Sequence, residues 1–124
     1  MPLTHFDKTA RPRMVDIGAK RETVREATAS GEVRVQPSTL EMITGGNSGQ
    51  ATTLTKGDPF SIAQIAGISA AKKTWDLIPL CHPLPLDSIT VDLSANLEQS
   101  TIQITATVRT FARTGVEMEA LTAV

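Results

Sequence analysis

Tyrosine is missing from this sequence, tryptophan occurs once and phenylalanine three times. So few aromatics exclude the stacking platforms that grip single-stranded nucleic acid, and they leave the core to aliphatic side chains. Cysteine also occurs once, as Cys81, so no internal disulfide can form and a reducing compartment is expected. No apolar run approaches the roughly 20 residues that a membrane helix needs. The opening MPLTHFDKTARPR carries charge but no apolar stretch after it, so it lacks the build of a secretory signal. A cytoplasmic chain with no membrane attachment is the expectation. Neither sign of charge dominates: the formal net charge is −1, which argues against a nucleic-acid surface. Even so, Lys8, Arg11, Arg13, Lys20, Arg21, Arg25 and Arg34 put seven of the twelve basic residues in positions 1–34, an excess suited to phosphate.

What is present fits one domain. At 124 residues, 40% hydrophobic and 20% charged, the chain has an ordinary globular composition and enough length for a modest core. Residues 1–13, with Pro2 and Pro12, read as a loose N-terminal arm, and 14–124 as a single domain. The segment ETVREATASGEVRV (22–35) predicts a strand with a bulge or bend at Gly31. PSTLEMITGG predicts a short helix, headed by a capping box of Ser38 and Glu41 and stopped by Gly45-Gly46. GGNSGQATTLT, from Gly45 to Thr55, reads as a flexible surface loop that delivers the chain to Lys56.

A second helix is expected from Asp58-Pro59 to about Trp75, with Ile62, Ile65, Ala66, Ile68 and Ala70 at helical spacing. Its small residues Ala63, Ala66, Gly67, Ala70 and Ala71 allow close approach to a sheet. Ile89, Val91 and Leu93, then Ile102, Ile104, Ala106 and Val108, alternate with polar neighbours as half-buried strands do, and Asn96 to Ser100 joins them as a hairpin. Thr114 with Glu117 forms a second capping box before a helix that reaches Val124 without glycine, basic turn or proline to end it. The sequence is therefore expected to stop inside a helix. The order β, α, α, β-hairpin, α predicts an α+β fold, a ferredoxin-like plait whose antiparallel sheet carries its helices on one face.

Four places could carry chemistry. In LIPLCHPLPL (77–86) three prolines forbid a helix and disfavour a central strand, so a stiff extended connection is expected. His82 precedes Pro83 and is held in the β or polyproline region, which suits a site residue but equally a satisfied buried histidine. Cys81 beside it has no second cysteine or histidine pair for zinc, and an inert buried thiol is favoured over a nucleophile. Lys56 stands at a helix start, where an ammonium meets a phosphate or is simply solvated. Glu117 and Glu119 read either as proton-transfer acids or as a capping partner and a surface residue. Two apart on a helix, they point about 200° away from each other.

KGDPF, then IAGISAAKKTWDLIPLCHPLPL, then TGVEMEALTA, with the opening MVDIGAKRETVREA, resemble the molybdenum cofactor biosynthesis protein C family over most of the chain. The resemblance implies a ferredoxin-like fold assembled as a hexamer, a trimer of dimers, with sites at a subunit interface. It also implies a lyase. A radical partner enzyme supplies (8S)-3′,8-cyclo-7,8-dihydro-GTP, and this family converts it to cyclic pyranopterin monophosphate with release of pyrophosphate.

Carried onto this sequence, Lys56 matches the catalytic lysine. Leu80, Cys81 and His82 match a substrate-binding stretch, Met118 and Glu119 a second one, and Glu117 the acid before it. Lys20 and Arg25 match basic positions for the triphosphate. Catalysis is thus expected of Lys56, His82, Glu117 and Glu119. No resident cofactor or metal site is expected, although loss of pyrophosphate suits Mg2+ on the leaving group. The sequence departs from the family in a longer loop before KGD. It also departs in stopping before the rest of the last helix, where family members carry an Asp and a Lys. The alternative is therefore a non-catalytic truncated relative that binds the pterin precursor or a complete subunit.

Overall fold

The computed structural model describes residues 3–45 and 57–124. The expected loop to Thr55, and Lys56 beyond it, lie outside the described residues. Strand β1 (Thr23–Arg34) is followed by helices α1 (Pro37–Thr44), α2 (Pro59–Lys72) and α3 (Thr74–Leu77). Strands β2 (Ser88–Asn96) and β3 (Thr101–Ala112) come next, and α4 (Glu117–Ala123) is last. The strands form an open antiparallel sheet in the order β1-β3-β2. This is a ferredoxin-like α+β fold.

The period-two pattern decides which face is buried. Ala106 and Val108 on β3 and Val91 on β2 point to the helices and are at most 5% exposed, with Ala27 and Ala29 of β1 beside them. The other face carries Glu26, Thr28, Thr90, Asp92, Thr105 and Arg109, all exposed. There Thr28 and Thr107 share a hydroxyl hydrogen bond of 3.0 Å, and Arg109 pairs with Glu26 at 3.4 Å. Both groups of that ion pair are solvated, so it adds little.

On the buried face, α2 and α4 close the core through Ala71, Ala120, Ala123 and Val116. Gly67 sets the spacing: a Cβ there would lie 2.8 Å from the Ala123 carbonyl and 3.1 Å from Val91. Missing that atom, α2 lies directly on both α4 and β2. A smaller cluster of Leu40, Phe60 and Ala95 packs α1 and the start of α2 on the far end of β2.

Several predicted elements differ in detail. β1 pairs with β3 without interruption from Thr23↔Ala112 to Arg34↔Thr101, so Gly31 makes no bulge. Its role is steric, since a Cβ at Gly31 would sit 2.7 Å from Cγ1 of Val124. The Ser38–Glu41 capping box does not form. Gln36 is the N-cap, Pro37 takes the first turn, and no side chain caps the helix. The stop is as expected: Gly45 adopts φ 61° and its N–H donates to the Glu41 carbonyl at 2.7 Å. Asp58 caps α2 as predicted, accepting from the Phe60 N–H at 3.0 Å and the Ser61 hydroxyl at 2.8 Å. The helix ends at Lys72, and the buried Thr74 hydroxyl bonds back to the carbonyls of Ala70 and Ala71 as α3 begins.

Candidate active site

The stiff connection after α3 begins as a tight turn. The Cys81 N–H donates to the Ile78 carbonyl at 3.3 Å, with Pro79 and Leu80 between them. Leu80 has φ 64°, the left-handed region in which glycine is the usual occupant of that turn position. A leucine held there stores about 1 kcal/mol or more of local strain. Beyond the turn, Leu84 and Leu86 face the core while Pro83 and Pro85 face solvent. Two hydrogen bonds fix this run to β3: the fully buried Thr110 hydroxyl donates to the Pro85 carbonyl, and the Asp87 N–H donates to the Arg109 carbonyl at 2.9 Å. The connection is thus anchored on both sides, and the residues between the anchors are presented in one arrangement.

Opposite it stands the head of α4. Val116, fully buried, is the N-cap, so the predicted capping box of Thr114 and Glu117 does not form. Glu117 is instead the first helical residue, and its carboxylate folds over Gly115, where any Cβ would collide with it. Between these two segments lies a pocket of about 320 Å3 lined by Ile78, Pro79, Leu80, Cys81 and His82 on one side and Thr114, Glu117 and Met118 on the other, with His5 completing the wall. A mainly apolar wall with a few convergent polar groups is the usual form of a small-molecule site.

Glu119 does not line the pocket. Two residues from Glu117, it points away from it as helical geometry requires, and it is only 3% exposed. Cys81 links it to the site: the thiol lies 3.7 Å from Glu119 Oε2 and 3.9 Å from the His82 carbonyl, within donating distance of both. Burial, with a smaller contribution from the nearby Glu117 charge, pushes the Glu119 carboxyl above its ordinary value. Burial, then the Glu119 charge, likewise pushes the Cys81 thiol up. The thiol is therefore held protonated, as a hydrogen-bond donor rather than a nucleophile.

Of the residues singled out in the sequence, Leu80, Cys81, His82, Glu117 and Met118 converge on this pocket, with Glu119 directly behind Cys81. Lys20 and Arg25 do not line it. Arg25 donates from Nε to the Ala112 carbonyl at 3.2 Å, at the end of β3 that leads into the pocket rim. Lys20 is exposed in the turn before β1. His5 and Thr114 were missed as site residues. No pattern in the sequence could have placed His5, because its arm reaches the pocket through tertiary structure alone. Among the described residues, no group of three or more His, Cys, Asp or Glu is gathered as a bound metal requires, and no helix is long and apolar enough to cross a membrane.

An α+β domain that faces imidazole, thiol and carboxylate groups into one small pocket defines an enzyme acting on a small molecule. A sequence model of the MoaC family matches residues 14–124, and the chain belongs to that family. A cyclic pyranopterin monophosphate synthase of Roseiflexus sp. (strain RS-1) is 56% identical over 122 residues, covering 98% of this chain and 73% of that protein. Another, from Pelotomaculum thermopropionicum, is 53% identical over 122 residues, 98% of this chain and 68% of that protein. Cyclic pyranopterin monophosphate synthase 3 of Mycobacterium tuberculosis is 54% identical over 122 residues, 98% of this chain and 65% of that protein.

Proposed function

We propose that this chain serves molybdenum cofactor biosynthesis as a lyase that converts (8S)-3′,8-cyclo-7,8-dihydro-GTP to cyclic pyranopterin monophosphate and pyrophosphate. One observation carries the assignment to this pocket. Two segments more than thirty residues apart, 78–82 and 114–118, meet in a single cavity and bring His82 and Glu117 to its surface. Ring opening and reclosure move protons, and the residues divide that work by environment. His82, at the pocket surface, is the base. Glu119, whose carboxyl burial raises above its ordinary value, backs the site by accepting from the Cys81 thiol. Leu80, Cys81 and Met118 hold the ring system, Lys56 and Glu117 share the catalytic work with His82, and Lys20 and Arg25 attend the phosphates.

Glu117 is the one carboxylate among the described lining residues. That donor set fits no dedicated magnesium cage. Assembly as a hexamer, a trimer of dimers, suits the exposed apolar side chains of Ile62, Ile65, Trp75, Leu77 and Leu121. A cytoplasmic location suits the single free thiol, Cys81.

The test incubates the purified chain with the cyclic GTP intermediate and follows both products. Formation of cyclic pyranopterin monophosphate and pyrophosphate in equal amounts, lost in Lys56→Ala, is expected. Binding of the intermediate without turnover would instead identify a non-catalytic relative.

A further inference from the structure

The sequence holds two histidines, and both line the same pocket. His82 comes from the anchored connection. His5 comes from the N-terminal arm, 77 positions away, and is the one described lining residue before Ile78. The arm that carries it closes on itself. The Asp7 carboxylate accepts from the Thr9 N–H at 2.8 Å, the Thr9 hydroxyl at 2.7 Å and the Arg11 N–H at 2.9 Å. Phe6 bridges to Pro12, and Ala10 takes φ 60° to reverse the chain. The backbone on both sides of the imidazole is also held, because the Arg13 N–H donates to the His5 carbonyl at 2.8 Å and Arg13 Nε donates to the Thr4 carbonyl at 3.0 Å.

We infer that His5 is a substrate-contacting, specificity-determining residue, which the Asp7-stapled arm brings to the pocket as a separate wall. The inference rests on the reading that this pocket takes the cyclic nucleotide. The ligand class follows from the lining. Ile78, Pro79, Leu80 and Met118 offer apolar surface to a flat heterocycle, while His5, His82, Thr114 and Glu117 offer polar groups to its edge and its phosphate. His5 is exposed and rides on an element separate from the Cys81–Glu119 pair. It therefore contributes binding rather than proton transfer. An exposed imidazole that hydrogen-bonds substrate and transition state alike changes KM and leaves kcat nearly untouched.

The experiment has two readouts. In steady-state turnover of the cyclic GTP intermediate, His5→Ala is expected to raise KM about tenfold, the effect of one hydrogen bond, with kcat within about a factor of two. Asp7→Ala should reproduce that KM with the imidazole still present, and His5→Asn should recover part of the loss. In the chain carrying labelled histidine, titration with cyclic pyranopterin monophosphate should shift both imidazole resonances. Turnover by the unaltered chain with an unchanged KM in His5→Ala and an unmoved His5 resonance overturns the role of His5 alone. No turnover by the unaltered chain, with neither resonance moving, overturns the functional reading and the role of His5 with it.

Discussion

In the β2–β3 hairpin every residue from Ser88 to Asn96 pairs with one from Arg109 to Thr101 in unbroken register, and Ile89, Val91, Leu93, Ile104, Ala106 and Val108 pack their apolar side chains into the core. In the connection just before it, prolines break the ladder, Leu80 sits in the left-handed region, and polar side chains turn into a pocket. The two stretches adjoin in sequence and are joined in space by the Thr110–Pro85 hydrogen bond. The difference shows a division of labour. Regular pairing fixes the frame, and an irregular, strained segment hung on that frame presents the chemistry.

The sharpest way to separate the two is to remove one side chain from each. His82→Ala should lower turnover of the cyclic GTP intermediate by about 10²-fold or more, the usual contribution of a general base, equivalent to about 2.7 kcal/mol of barrier. Its unfolding free energy in urea should stay within about 1 kcal/mol of the unaltered chain. Val108→Ala should do the reverse. The side chain is fully buried, and losing two methyl groups and leaving a cavity should cost roughly 2 kcal/mol, with turnover per folded molecule kept.

A smaller effect tests the border between the two regions, where Glu119 lies on a regular helix but serves the pocket. Its carboxyl has a higher pKa folded than unfolded, so the folded state holds the proton longer. That group's stabilising effect is complete below the ordinary glutamate value of about 4.3, and it is lost as pH rises toward the raised value. Glu119→Gln carries no such proton. Urea midpoints measured from pH 4 to neutrality should therefore fall less steeply in the variant, and equal slopes would count against a carboxyl raised by burial.

The same contrast explains what the sequence revealed. Alternation over 89–93 and 102–108 predicted the hairpin because one face meets the core at every second residue, and Asp58 and Gly45 predicted their helix ends through local backbone chemistry. The capping boxes at Ser38 and Thr114 failed because Gln36 and the buried Val116 already hold the N-cap positions, a choice made by packing. The angular separation of Glu117 and Glu119 was legible, but not that Cys81 would reach the second from across the pocket. His5 was least legible. Its place depends on how a short arm folds back on the domain, and no periodicity encodes that.

The most direct measurement takes turnover and urea midpoint from the same preparations of His82→Ala and Val108→Ala. The division of labour predicts that His82→Ala loses turnover at an unchanged midpoint, while Val108→Ala loses stability with its turnover per folded molecule intact. A His82→Ala protein that turns over normally, or whose lost activity is matched by a lowered midpoint, would contradict it.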